Sequence, residues 1–86
     1  MLSKQLVLQS RGGLHARPAT FLVQMANKYQ SKIKVVLDGK EADGKSVIGL
    51  LTLGAGQGKE ITLVVDGTDE QEAMADMFAF LQQAEE

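Results

Sequence analysis

The dipeptide Asp38–Gly39 limits the possible folds of this chain more than any other short segment. It stands between the run IKVVL (33–37), which is rich in β-branched residues, and the short segment KEAD (40–43). A type I′ turn needs positive φ at both of its central residues, and Asp-Gly adopts such a turn readily. The sequence therefore predicts a β-hairpin whose second strand is short.

Two more strands and a short helix are predicted around this hairpin. LSKQLVL (2–8) alternates modestly between apolar and polar residues, and ITLVV (61–65) is again rich in β-branched residues, so both are expected to be strands. Ser46 is a good N-cap residue directly before VIGLLTL (47–53), which is therefore expected to form a short helix.

Two longer helices are predicted from apolar residues at helical spacing. One follows His15, and the other opens at Thr68, where TDEQ (68–71) matches a T-x-x-Q capping box. Their predicted buried faces consist of Ala19, Leu22, Val23 and Ala26 in the first of them and of Met74, Met77, Phe78 and Leu81 in the second.

These elements give the order β-α-β-β-α-β-α. Each amphipathic helix must bury its apolar stripe, and one side of a single sheet can serve all of them. We therefore predict an α+β open-faced β-sandwich, with a four-stranded antiparallel sheet and three helices on one face. The 86 residues are expected to form a single domain, residues 1–86, held together by packing alone because the chain has no cysteine.

Composition excludes several classes of function. A net charge of −2 and an aromatic content of 5% leave neither a basic footprint for phosphate backbones nor a stacking platform for bases. This also opposes the RNA-binding domains that share a split βαβ order. No apolar run approaches the ~18 residues of a membrane helix, and the N-terminus is too polar for a signal peptide. We expect a cytoplasmic protein that binds no nucleic acid, inserts into no membrane and needs no cofactor or metal.

The segment GLHARPAT (13–20) contains the only histidine and the only proline of the chain. Proline is tolerated in the first turn of a helix, so Pro18 places the helix start near His15. The free N–H groups of Ala16 and Arg17, the helix dipole and the Arg17 guanidinium would then form an anion site. Imidazole can act as a nucleophile, and these neighbours together indicate a histidine that accepts a phosphoryl group.

The same residues also permit a plainer interpretation, in which His15 only caps the helix and Arg17 is an ordinary surface residue. Spacing alone favours that interpretation. Apolar side chains outside the buried faces would instead mark a docking surface, although scattered surface residues or a wider core explain them equally well. These side chains are Phe21, Met25, Val47, Ile48 and Leu51.

A second motif suggests a different class of function. GKEADGKS (39–46) satisfies the P-loop pattern G-x-x-x-x-G-K-[ST] and lies between a strand and a helix, which would indicate a nucleotide hydrolase. Glu41 and Asp43 would repel a polyphosphate, and the predicted hairpin uses the same residues as a strand. Too few residues follow Ser46 for the βα units that surround a P-loop, so we consider this alternative improbable.

The whole chain resembles HPr, the family of histidine-containing phosphocarriers of the bacterial sugar phosphotransferase system. The resemblance runs through GLHARPAT (13–20), GKSVIGLLTLGAGQG (44–58) and GTDEQEA (67–73), with matching lengths between them. It implies that enzyme I phosphorylates His15 from phosphoenolpyruvate and that His15 passes the group to enzyme IIA proteins.

Further expectations come from the resemblance. Arg17 would stabilise the phosphoryl group, and the surface around Thr20, Val47, Ile48 and Leu51 would dock both partners. We add Phe21 to this surface because it falls off the buried face of its helix. The protein would be a carrier rather than an enzyme, and we expect a monomer.

The resemblance also assigns a regulatory role to Ser46, which a dedicated HPr kinase/phosphorylase modifies in many bacteria. In low-GC Gram-positive members this serine is followed by Ile-Met, with a second Met three residues later. Here Val47, Ile48 and Leu51 occupy those positions, so the corepressor function of those members is not implied. A nitrogen-branch paralogue or a purely regulatory paralogue remains an alternative that these residues do not separate from a sugar carrier.

Overall fold

The hairpin predicted at Asp38–Gly39 is present in the computed structural model, which describes residues 1–8, 16–56 and 58–82. It joins strand β2 (Lys32–Leu37) to strand β3 (Lys40–Asp43). Asp38 has φ 51° and Gly39 has φ 82°, so both central residues occupy the region that a type I′ turn requires. The two strands pair in antiparallel register. The predicted hairpin is confirmed.

The element order β-α-β-β-α-β-α is also confirmed. The sheet has the strand order β1-β4-β2-β3, and each neighbouring pair of strands is antiparallel. The other strands and helices are β1 (Leu2–Val7), α1 (Ala16–Ala26), α2 (Val47–Leu53), β4 (Glu60–Asp66) and α3 (Glu70–Gln82).

The helices cover one face of the sheet. Helix α2 packs over β3, α3 packs over β4 and β1, and α1 contacts both of the other helices. Side chains alternate along β4, where Ile61, Leu63 and Val65 are buried under the helices. Burial of each such side chain contributes roughly 1.5–3 kcal/mol to folding. The predicted open-faced sandwich is therefore the observed fold.

Two predicted core residues lie at the edges of their helical stripes. Val23 of α1 and Phe78 of α3 are half-buried and pack against the rim of the core. The Lys4 ammonium lies 4.7 Å from the centre of the Phe78 ring, so a cation covers part of this ring at the edge of the core. The remaining predicted stripe residues are buried.

The start of α3 differs from the sequence-based prediction. The helix begins at Glu70, and the reciprocal hydrogen bond joins Glu70 to Gly67, whose N–H donates to Oε1 over 3.1 Å. This bond holds the pKa of the Glu70 carboxyl below its usual value. The capping box expected between Thr68 and Gln71 is wrong, because the chain uses residues one position earlier along the sequence.

Asp69 has another partner, which explains this shift. Its carboxylate accepts hydrogen bonds from the backbone N–H groups of Gln30 (2.8 Å) and Ser31 (3.0 Å) and from the Ser31 hydroxyl. Gly67 comes so close to the same loop that a Cβ would lie 2.6 Å from Ser31 Cα. The start of α3 is therefore fixed by the loop that follows α1.

Within the described ranges, no helix combines the length and the apolar character that crossing a membrane would require.

We predict that Asp69→Asn lowers the melting temperature at neutral pH, since the loop loses a charged acceptor. The Ser31 hydroxyl, and then the Gln30 N–H, lower the pKa of Asp69 below 3.8. The stabilisation is therefore complete above pH ~4 and disappears as the pH falls through the folded-state pKa. Thermal melts from pH 7 to pH 2 should show wild-type and variant stabilities converging at acid pH.

Asp38→Asn is the matched control, because it makes the same carboxylate-to-amide change in an exposed turn that suits both residues. We expect its melts to follow the wild type across this pH range. An Asp69→Asn variant that melts with the wild type at neutral pH would contradict the role assigned to this carboxylate.

Candidate functional site

The first turn of α1 carries the residues that sequence analysis assigned to phosphoryl chemistry. Helix α1 begins at Ala16, and Pro18 is buried in its first turn, as its lack of an N–H allows. Ala16 and Arg17 are exposed, and the N–H groups of a first turn have no partner inside the helix. His15 itself lies outside the described residues, so its assignment as phosphoryl acceptor stays a prediction.

The exposed side of α1 continues from Arg17 through Thr20 to Phe21. Thr20 is exposed, and its hydroxyl donates to the Ala16 carbonyl over 2.8 Å, so the hydroxyl proton is used within the helix. Its methyl group and the lone pairs of its hydroxyl oxygen stay available for a contact outside the helix. Phe21 is 51% exposed, which is unusual for so large an apolar side chain.

Ser46 has the N-cap role that its sequence position predicted. Its backbone is extended, with φ −127° and ψ 115°, and its Oγ accepts a hydrogen bond from the Gly49 N–H over 3.1 Å. The residue is half-buried. This local capping function is confirmed, while regulatory phosphorylation of Ser46 stays a prediction.

The apolar residues on α2 and α1 do not form one compact patch. On α2, Ile48 is 78% exposed and Leu51 is 41% exposed, with Val47 half-buried beside them. Phe21 instead makes an edge-to-face contact with Phe80 of α3, with 6.5 Å between ring centroids and 66° between ring planes. The predicted docking residues therefore divide into an α2 group and an α3-facing aromatic.

The helical repeat supports this division. At 3.6 residues per turn, Val23 lies about 200° around α1 from Phe21. If Phe21 faces α3, the half-buried Val23 faces the opposite flank, on the side of α2.

Sequence analysis missed Phe80 because this residue falls outside the stripe of α3. Two phenylalanines only two residues apart, Phe78 and Phe80, are a signal that one of them must leave the core.

Charge is distributed unevenly over the helices. Within their bounds, α1 and α2 have Arg17 as their only charged residue, whereas α3 has Glu70, Glu72 and Asp76 and no lysine or arginine. The Tyr29 hydroxyl donates a hydrogen bond to Asp76, which raises the pKa of Tyr29 to about 12. The layer that α1, α2 and α3 form (the helix layer) is therefore cationic at the start of α1 and anionic along α3.

The P-loop interpretation of GKEADGKS (39–46) is not compatible with this geometry. The first residues of the motif form the turn and strand β3, and the sheet is antiparallel throughout the described chain. The Lys45 ammonium donates to the Tyr29 carbonyl over 2.8 Å, and the Lys45 N–H donates to Asp43 Oδ1 over 2.9 Å. A P-loop lysine would instead have to reach a bound phosphate.

Comparisons with known proteins agree with this fold. A family model described as "PTS HPr component phosphorylation site" matches residues 2–83. The HPr-like protein Crh of Halalkalibacterium halodurans is 45% identical over 82 residues, which cover 95% of this chain and 98% of that protein. An HPr structure from Thermoanaerobacter tengcongensis superposes with a TM-score of 0.92 at 36% identity, covering 95% of this chain and 92% of that one.

A further relative bears on the oligomeric state. The structure of Bacillus subtilis Crh, described as an intertwined dimer with a swapped domain, has a TM-score of 0.79 and 38% identity over 98% of this chain and 97% of that chain. The expectation of a monomer therefore stays a prediction. The family match spans nearly the whole chain and agrees with the fold and with the capped start of α2. On these grounds the chain belongs to the HPr family of the phosphotransferase system.

Proposed function

We propose that this chain is a phosphocarrier of the sugar phosphotransferase system. A ring nitrogen of His15 attacks the phosphorus of phospho-enzyme I, and the bond between enzyme I and the phosphoryl group breaks as the new N–P bond forms. The group then passes to an enzyme IIA protein by the same exchange. The phosphoryl group comes from phosphoenolpyruvate through enzyme I, so the carrier needs no cofactor of its own.

The observation that carries this proposal is the start of α1 directly after His15. A helix N-terminus has unpartnered N–H groups and a partial positive charge, both of which favour an anion. The exposed Arg17 in the same turn adds a guanidinium fork that suits phosphoryl oxygens. Ala16 and Arg17 thus supply backbone donors next to the residue that would accept the group.

A carrier function also fits the exposure of this region. Ala16, Arg17 and Thr20 all lie at the surface, where a phosphoryl group stays accessible to a second protein. Reversible transfer between proteins requires such access, whereas an enzyme excludes water from its reacting groups. We therefore propose a phosphohistidine intermediate without substrate turnover by the chain alone, in the cytoplasm where its partners act.

Enzyme I and enzyme IIA would dock on the apolar residues next to this turn. The α2 group is Val47, Ile48 and Leu51, and α1 adds Thr20 and Phe21. Exposed apolar side chains of this size are typical of protein interaction sites. Ile48 in particular has little structural reason to be apolar, because it is 78% exposed.

A regulatory role is the second candidate, and the similarity to Crh favours it. Bacillus subtilis Crh, named as a catabolite repression HPr, shares 38% identity with this chain. Ser46 caps α2, and an HPr kinase/phosphorylase would add roughly two negative charges at this point. A role in the nitrogen branch is a third candidate, which uses the same phosphohistidine chemistry. Testing which branch's enzyme I this protein captures would distinguish it from a role in the sugar branch.

We predict that phosphoenolpyruvate and enzyme I label the wild-type protein once, at His15, with the acid-labile and base-stable behaviour of phosphohistidine. His15→Ala should take up no label, because the chain has no second histidine. Mass spectrometry of the intact protein measures both. Acid-labile labelling of His15→Ala at the wild-type rate would contradict the proposal, and an unlabelled wild type would favour the regulatory candidate.

We predict that Ser46→Asp slows phosphorylation of His15 at low ionic strength, because it places a carboxylate beside the α2 docking group. The effect should shrink as salt screens the charge. Folding should change little, since aspartate is as good an N-cap as serine. Initial rates at several salt concentrations test this.

Ser46→Ala is the matched control for the cap. It should lose about 1 kcal/mol of stability while His15 is phosphorylated at the wild-type rate. Equal rates for wild type and Ser46→Asp at low salt would leave Ser46 with its capping role only.

We also predict that ATP or GTP with magnesium does not raise the melting temperature. A ligand that binds only the folded state raises it by mass action, so a true P-loop would respond. Lys45→Ala serves as the control for any rise that is seen. A rise that depends on Lys45 would restore the nucleotide-binding alternative.

A further inference from the structure

On the side of α1 away from Ser46, Phe21 contacts Phe80 of α3, and the predicted docking surface includes Phe21 but not Phe80. We propose that this pair is a second docking element for enzyme I, and that the matching surface of enzyme I is apolar with a basic rim. This inference rests on the proposed carrier function and assigns a specificity-determining role to Phe80 of α3.

The pair meets α1 at its middle, about one helical turn beyond Arg17. Two contacts join α1 and its following loop to α3: Phe21 with Phe80, and Tyr29 with Asp76. Residue numbers rise along α1 while they fall along α3, so the two helices are antiparallel. Phe80 therefore points towards the start of α1, where Arg17 precedes Phe21 by one helical turn.

The aromatic pair is not needed to complete the core. Phe21 is 51% exposed, while its neighbour Leu22 is fully buried and supplies the core contact of this turn. Phe80 is half-buried at the rim. Phe78, two residues earlier on the same helix, is also half-buried and has the Lys4 ammonium over its ring. Phe21 and Phe80 therefore present aromatic surface beside α1.

The size of a transient interface leads us to expect this contact for a partner that reaches His15. Such an interface buries up to about 600 Å² on each side, a disc of about 14 Å radius. The molecule measures 32 × 25 × 21 Å. A partner centred on the first turn of α1 therefore covers the α3 flank as well as the α2 flank.

The carboxylates beside the aromatic pair indicate which charge the edge of the partner's docking surface would carry. Asp76 accepts a hydrogen bond from Tyr29, and Asp69, just before α3, accepts hydrogen bonds from Gln30 and Ser31, so carboxylates lie on the flank of α3 that faces α1 and its following loop. Asp76 lies one turn before Phe80 on this flank. A partner surface that covers Phe80 therefore meets carboxylates beyond it, and lysine or arginine residues there would pair with them. The cationic start of α1 at the other edge favours an acidic region, so enzyme I can dock in one orientation only.

The decisive experiment compares Phe80→Ala with Phe78→Ala in the phosphorylation of His15 by enzyme I and phosphoenolpyruvate. Both variants shorten a half-buried phenylalanine of α3, so their effects on folding should be similar. We expect Phe80→Ala to raise the KM for the carrier on the order of tenfold with kcat unchanged, and Phe78→Ala to leave KM at the wild-type value. Phe21→Ala, which removes a half-exposed side chain, should raise KM in the same way.

A second pair of variants tests the basic rim. Asp76→Asn should raise KM at low salt, and the difference from wild type should vanish at high salt. Glu60→Gln is the matched control, because Glu60 is exposed on the sheet face that carries no helices. The KM increases of Phe80→Ala and Ser46→Asp should multiply in the double variant, since the two residues lie on opposite flanks of α1.

The outcomes separate this inference from the proposed function. A wild-type KM for folded Phe80→Ala overturns the docking element while leaving the carrier function intact. An equal rise in KM for Phe78→Ala and Phe80→Ala also overturns it, because loss of stability then explains both. Failure of enzyme I to phosphorylate the wild-type protein overturns the carrier function and this inference together.

Discussion

Every feature of the site depends on the fact that the sheet buries only one of its faces. The β2–β3 hairpin makes the sheet antiparallel, and the three helices bury their stripes against the same side of it. Apolar strand residues such as Leu63 and Val65 provide that common surface. Helix α1 is then held between α2 and α3, so side chains from all three helices that cannot reach the sheet emerge in a single layer. The first turn of α1 lies in this layer.

A carboxylate fixes the start of α3, in addition to the apolar stripe that packs this helix on the sheet. Asp69 binds the backbone of Gln30 and Ser31 in the loop after α1, and Gly67 lies against Ser31. These contacts bring the start of α3 to the end of α1, which makes the two helices antiparallel. The same arrangement brings Phe80, at the far end of α3, back to Phe21. A polar contact at one end of the helix pair thus acts together with apolar packing to bring Phe21 and Phe80 together.

The parts of the fold that sequence analysis predicted correctly depend on neighbours in the sequence. The Asp38–Gly39 turn and the Ser46 cap each involve residues at most three positions apart, so their local pattern suffices. The cap of α3 was wrong because Asp69 is engaged by residues 38 and 39 positions away, which no local pattern reveals. A contact between residues far apart in the sequence also explains why Phe21 does not belong to the α2 group. Its position on α1 was predictable, but its contact with Phe80 depends on how two distant helices pack.

The division of the helix layer suits the proposed carrier function, in which the protein would have to release each partner after transfer. Helix α2 offers exposed Ile48 and Leu51 with no charge within its bounds, so contacts there are non-directional and weak in specificity. The charges stand at the edges, with Arg17 on one side and the carboxylates of α3 on the other. Rim charges act mainly on the rate and orientation of encounter, whereas a buried ion pair would slow dissociation. A carrier built in this way gains selectivity without long-lived complexes, and a new charge at Ser46 would alter only the α2 side of that balance.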